Sequence, residues 1–237
     1  MIGVIVIGGR QERIPGDVGC AASFAGPVEF EVAEDATMRQ VFEGREHEML
    51  PALRRAGQTL VHRGAMVITT TCGLLTAVQA SLSRYLNVPV ITSALLQLPA
   101  LLALLPPGQK IGVVTAMARL LTPHRIISAG VRAEQLKRLA VIDLSGTRHF
   151  LPSLTENENS PEARLIEQEV LACVREVLVA EPVGALLSEC ANLPPYSAAL
   201  RAATGLPVWD AMDQIHWLVG TEQERFSAAD TVGVAAK

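Results

Sequence analysis

Two stretches decide how this chain is read: Val67-Ile68-Thr69-Thr70-Thr71-Cys72-Gly73 and Ala185-Leu186-Leu187-Ser188-Glu189-Cys190-Ala191. Each is a short apolar run, the pattern of a buried strand, that ends on a cysteine. A helical stretch follows each, and then a second apolar run opened by X-Pro-Val. That run is Asn87-Val88-Pro89-Val90-Ile91 in the first case and Gly205-Leu206-Pro207-Val208-Trp209 in the second. Cys72 to Pro89 spans 17 positions, and Cys190 to Pro207 spans 17 again. Upstream, Ile2-Gly3-Val4-Ile5-Val6 matches Ile111-Gly112-Val113-Val114-Thr115. The chain reads as a duplicated unit of four strands with their helices, with a cysteine at the end of each third strand. The second copy has about nine more residues between its first strand and its cysteine, and the polar loop 145–160 is placed to hold them.

Working outward, buried strands are expected over residues 2–7, 28–32, 65–69, 88–91, 111–115, 139–143, 183–187 and 206–209. Short Val/Ile-rich runs separated by helices point to βαβ units and parallel sheets. The clearest helix is 161–180, with Ser160 as N-cap, Pro161 and Glu162 in the first turn, and Leu165, Ile166, Val170, Val174, Val177 and Leu178 on one face. Cys173 lies beside that face and reads as a small buried hydrophobe. The expected fold is α/β: two similar lobes, each a four-stranded parallel sheet flanked by helices, related by a pseudo-two-fold axis. Residues 1–100 plus about 210–237 form the first lobe, carrying Cys72, and 101–209 the second, carrying Cys190.

Composition narrows the function. Of 237 residues, 49% are hydrophobic, which is ample for packed cores and excludes disorder as the main state. A net charge of −4 supplies no basic surface for nucleic acid. The most apolar stretch, 88–105, is broken by Pro89, Pro99, Thr92, Ser93 and Gln97, and reads as a buried strand and helix rather than a membrane span. The N-terminus lacks the basic region of an export signal, so a cytoplasmic location with reduced cysteines is expected. No C-x-x-C pair suggests a metal site. No cofactor is expected: the three lysines, Lys110, Lys137 and Lys237, are poorly placed for a Schiff base, and the dinucleotide glycine fingerprint is missing. Apolar residues within 95–105 and at Ile126 and Ile127 suggest a homodimer.

Ligands of open parallel sheets bind beyond the carboxyl ends of the strands, so the duplication brings Cys72 and Cys190 to opposite walls of one cleft. A following helix N-terminus is expected to pull each thiol from its usual value of about 8.5 towards neutrality. A thiolate on one side of a carbon and a thiol on the other form a base–acid pair that inverts a centre next to a carboxyl group. Backbone N–H groups at the same turns offer a carboxylate site, Gly73 permits close approach, and Thr70, Thr71 and Asn192 add donors.

At these residues the sequence resembles the aspartate/glutamate racemase superfamily, which also holds hydantoin racemases, maleate isomerases and arylmalonate decarboxylases. The resemblance covers nearly the whole chain: two lobes, cysteines 118 positions apart and the closing X-Pro-Val strands. It implies an active site between the lobes, with Cys72 and Cys190 as catalytic thiols and backbone carboxylate contacts at Gly73 and Ala191. The segment Arg13-Ile14-Pro15-Gly16-Asp17 resembles the loop bordering the pocket, which makes Pro15 and Asp17 substrate-binding candidates. The better-known amino-acid racemases carry Cys-Asn-Thr and Gly-Cys-Thr where this chain has Cys72-Gly73-Leu74 and Glu189-Cys190-Ala191, so glutamate or aspartate is not implied as substrate.

Other residues keep two readings each. Asp17 orients a ligand or tunes Cys72, or simply completes a Pro-Gly-Asp turn. Glu189 raises the Cys190 thiol pKa, or points to the opposite face of its strand. Asn192 binds ligand or starts the helix after it. Thr115, at the end of its strand, reaches the cleft or stays in the core. Cys20 has no repeat partner and reads as a loop thiol. His47 and His62 read as solvated, and His124, His149 and His216 lack the spacing of a hydrolase. The expected function is a cofactor-independent racemase or epimerase acting on a small-molecule carboxylate or amino acid. The alternatives are a maleate-type isomerase or thiol-dependent lyase of the same fold, or a non-catalytic small-acid binder.

Overall fold

A computed structural model describes residues 1–8, 13–155 and 163–219. The first lobe contains β1 (Ile2–Val6), β2 (Val28–Val32), α1 (Met38–Phe42), α2 (Leu50–His62), β3 (Val67–Thr70), α3 (Gln79–Leu86), β4 (Val90–Ile91) and α4 (Leu98–Leu104). The second contains β5 (Lys110–Thr115), α5 (Pro123–Ser128), β6 (Leu139–Asp143), α6 (Phe150–Thr155), α7 (Ala163–Ala180), β7 (Val183–Ser188), α8 (Ser197–Thr204) and β8 (Val208–Trp209). The chain then enters α9 (Ala211–Val219), which returns to pack against β3 of the first lobe.

Strand order is β2-β1-β3-β4 in one sheet and β6-β5-β7-β8 in the other, parallel throughout, so the sequence repeat is a repeat of topology. The inner strands β1 and β3 are buried along their whole length, which is why they read as unbroken apolar runs rather than alternating ones. The matched X-Pro-Val segments also have matched entries. α3 ends on Asn87 at φ 55° and α8 on Gly205 at φ 67°, both left-handed, and in each case the proline follows two residues later and cannot continue the helix.

One apolar core fills the first lobe and crosses the seam to Ile111, Val113, Leu120 and Leu187. A second lies between the β5–β8 sheet and α6, α7 and α8, with Phe150, Val170, Val174 and Leu200 at its centre. The long helix begins at Ala163; Ser160, Pro161 and Glu162, expected to open it, lie outside the described residues. The region read as a polar loop contains a helix instead. Glu169 on α7 accepts from the N–H groups of Arg148, His149 and Phe150, and so fixes the start of α6. Within 95–105, Leu95, Leu98, Leu101 and Leu102 belong to the chain's own core, and of the apolar residues expected at a dimer surface Leu104 and Ile127 are exposed. No helix among the described residues is long and apolar enough to cross a membrane.

Candidate active site

β3 ends at Thr70, and the chain turns through Thr71, Cys72 and Gly73 into a short 3-10 turn, Leu75–Val78. β7 ends at Ser188, and Glu189, Cys190, Ala191 and Asn192 lead to the equivalent turn, Pro194–Tyr196. Both turns open on a cavity of about 610 Å³ at the carboxyl edges of the two sheets, and both cysteines line it. Arg13, Thr71, Gly73, Glu189 and Asn192 add to its wall, as do the apolar side chains of Met38, Phe42, Met117, Leu120 and Leu154. Cys72 is buried and Cys190 half-buried. Each sulfur meets the backbone N–H two residues further on, that of Leu74 for Cys72 and that of Asn192 for Cys190. The lobes touch here: a Cβ at Gly73 would overlap both the carbonyl and the carboxylate of Glu189, so only glycine permits the approach.

The thiols differ from the sequence expectation in one respect. Burial pushes Cys72 up to about 12 and raises Cys190 as well, and the Glu189 charge adds to both. The single N–H facing each sulfur offsets only part of this. The expected lowering assumed an α-helix start at each cysteine. α3 begins at Gln79 and α8 at Ser197, each seven residues beyond its cysteine, so neither sulfur sits on a helix N-terminus. Glu189 is raised to about 7, again chiefly by burial. Its Oε2 accepts from the Thr115 hydroxyl at 2.8 Å, while Oε1 has no hydrogen-bond partner. The Glu189 side chain therefore points towards the site, not to the far face of the strand.

Asp17 is buried beneath the cavity wall. Its Oδ1 accepts from Gly19 N at 2.6 Å, and its Oδ2 from Asn192 Nδ2 at 2.6 Å and from Arg13 Nη1 at 3.4 Å. The Cys190 thiol in turn donates to Asn192 Oδ1 at 3.3 Å. Asp17 thus positions two lining residues and one cysteine without reaching the cavity itself. Burial raises its own pKa despite those three donors. Thr71 lines the cavity, but its oxygen accepts from Ile7 N at 3.1 Å. The Thr70 hydroxyl faces the carbonyls of Cys72 and Thr92. Thr115 is fully buried and engaged with Glu189. Pro15 is exposed, and Ala191 is buried with its carbonyl accepting from Val18 N at 3.2 Å; neither lines the cavity. None of the five histidines lines it, and His149 pairs with Glu169 at 2.9 Å. No cluster fit for a metal occurs among the described residues. The wall contributed by Val32, Ala33, Met38 and Phe42 was not anticipated, because the β2–α1 segment carries no repeat signal. Arg13 sits in the loop the sequence pointed to, but nothing there set it apart from its neighbours.

No protein-family model matches the chain. It is 29% identical over 225 residues to a dimethylsulfoniopropionate lyase of Durusdinium sp. clade D, covering 89% of this chain and 71% of that protein. It is 28% identical to dimethylsulfoniopropionate lyase 7 of Emiliania huxleyi (strain CCMP1516), covering 89% and 64%. Against dimethylsulfoniopropionate lyase 3 of the same strain it is 32% identical, covering 65% of this chain and 41% of that one. Among solved structures, a glycine-to-cysteine variant of arylmalonate decarboxylase superposes with a TM-score of 0.57 at 15% identity, covering 100% of this chain and 94% of that chain. Allantoin racemase from Klebsiella pneumoniae gives 0.55 at 14% identity, covering 92% and 88%. The chain shares the two-lobed fold of these arylmalonate decarboxylase and allantoin racemase structures.

Proposed function

We propose that the chain is a cofactor-independent lyase. It removes the proton next to the carboxylate of a small acid and expels a group from the neighbouring carbon, with Cys72 and Cys190 handling protons. The observation that carries this reading is the pair of thiols, brought from equivalent turns of the two lobes to one cavity beside Arg13 and Asn192. Arg13 is the cation placed to receive a carboxylate, and the N–H groups of Leu74 and Asn192 stabilise negative charge on each sulfur. The names of the relatives make dimethylsulfoniopropionate the first substrate to test. In that compound the α-C–H pair becomes the new C=C bond, the C–S pair leaves with sulfur as dimethyl sulfide, and acrylate and one proton remain. The apolar wall of Met38, Phe42, Met117 and Leu120 suits an uncharged thioether leaving group.

Incubation with dimethylsulfoniopropionate in heavy water, followed by proton NMR, tests this. Acrylate vinyl signals and dimethyl sulfide are expected, and Cys72→Ser is expected to slow their appearance by about 100-fold or more. A second reading, racemisation, is favoured by the pseudo-symmetric placement of the thiols. It predicts α-deuteration of a recovered amino acid or hydantoin and no acrylate, which would overturn the lyase reading. Saturable binding with neither outcome would mark a binder.

A further inference from the structure

The two halves of the site differ in charge at the residue before each cysteine. In the first lobe it is Thr71, whose oxygen is occupied by Ile7 N. In the second it is Glu189, only 2% exposed, with Oε2 held by Thr115 and Oε1 unpartnered. Although Glu189 belongs to the lobe of Cys190, its carboxylate presses on Gly73, the residue that follows Cys72. A buried oxygen without a donor is costly unless it has work to do at the site.

We propose that Glu189 accepts the thiol proton of Cys72 and thereby generates the thiolate that attacks the substrate C–H. Glu189 acts through Cys72, as a positioning residue, and the inference rests on the elimination reading above. The S–H bond of Cys72 breaks, its electron pair stays on sulfur, and the proton passes to the Glu189 carboxylate, which makes no direct hydrogen bond to that sulfur, across one bridging water in the cavity. The thiolate then takes the α-proton, which restores the thiol. Glu189 releases its proton to solvent, and this is the one proton the elimination produces. Moving a proton from thiol to carboxylate relocates a single negative charge within the interior, whereas ionising the thiol beside a charged Glu189 would bury two. Among the described residues, the other charged or titratable groups facing this cluster are Cys190, Asp17, Arg125 and Glu46, and Arg13 and the exposed Glu34 share the cavity wall. Asp17 is committed to Gly19, Asn192 and Arg13, and Glu46 to Arg125. That leaves Glu189, whose value of about 7 suits a proton acceptor at neutral pH.

The test is the alkylation of Cys72 by iodoacetamide between about pH 5 and 10, read by peptide mass spectrometry on substrate-free protein. In the parent the rate is expected to rise with an apparent pKa near 7 and then level off. Glu189→Gln is expected to abolish that shoulder and to react at least about tenfold more slowly at pH 7.5. Thr115→Val, which removes the donor on Oε2, is expected to move the shoulder to higher pH. If Glu189 only repels the thiolate, Glu189→Gln reacts as fast or faster at pH 7.5 and Thr115→Val leaves the profile unchanged. Either result overturns the proposal. Because no substrate is present, this outcome is separate from any failure to form acrylate.

Discussion

A carboxyl group in a closed interior resists ionisation, and Glu189 has a stability consequence independent of catalysis. Its folded value of about 7 lies above the 4.5 of an unperturbed glutamate. Below 4.5 both the folded and unfolded chains hold the proton, and stability is undiminished. Between 4.5 and about 7 the unfolded chain ionises while the folded one does not, so stability falls as pH rises and stays low above that window. Glu189→Gln has nothing to titrate at this site. Urea midpoints measured from pH 4.5 to 8 should therefore show the variant gaining on the parent by up to about 3 kcal/mol. A gap that does not change with pH would mean the carboxyl ionises normally. That Cys72 and Cys190 meet at one cavity was legible in the sequence, because a repeat marks them. Their acidity was not, because Cys72 is raised by burial and by the charge of Glu189 on the other lobe, and no spacing along the chain encodes either.

At the scale of elements, the loop after β1 is the part of the site whose role depends on one side chain. Asp17 ties that loop to the turn bearing Cys190 and holds Arg13 over the cavity. Asp17→Ala leaves Gly19 N and Asn192 Nδ2 without their acceptor, at a cost of about 1–3 kcal/mol in thermal or urea unfolding. It also frees Arg13, so acrylate, the product the proposed elimination would release, should bind at least about tenfold more weakly by calorimetry. Unchanged affinity would exclude Arg13 as the carboxylate partner. The positions of β2 and β6 were legible, since they were expected over 28–32 and 139–143 and lie there, but both are partly exposed edge strands rather than the buried ones expected. β2 alternates apolar residues with Glu29 and Glu31, and the apolar run of β6 ends on Asp143. α6 was missed because its start is set by Glu169, nineteen residues after Phe150, a contact that local sequence does not carry. The 3-10 turns between each cysteine and its helix were missed for a related reason. Residues 73–78 have the apolar content of a helix, but their path is set by packing against the opposite lobe.

For the whole molecule, duplication was visible in the spacing, but the bolt between the copies was not. Arg125 on α5 is buried, and its Nε donates to Glu46 Oε1 at 2.6 Å. Its other nitrogens donate to the carbonyls of Leu120 and Val41. Its own carbonyl accepts from the Thr76 hydroxyl at 2.7 Å, in the turn that follows Cys72. One residue of the second lobe thus holds three segments of the first, and the field of Arg125 also reaches Glu189 and Cys72. Removing one partner of such a pair leaves a charge buried alone. Arg125→Met should therefore lower unfolding stability by about 3–5 kcal/mol, and Glu46→Leu by a similar amount. The double variant leaves no unpaired charge, and its loss should fall well short of the sum of the two single losses; that shortfall is the coupling between them. It should also recover stability without recovering the pH profile of Cys72 alkylation, since the cation whose field lowers the Glu189 value is gone. Single-variant losses below about 1 kcal/mol would show instead that the apolar seam alone aligns the lobes.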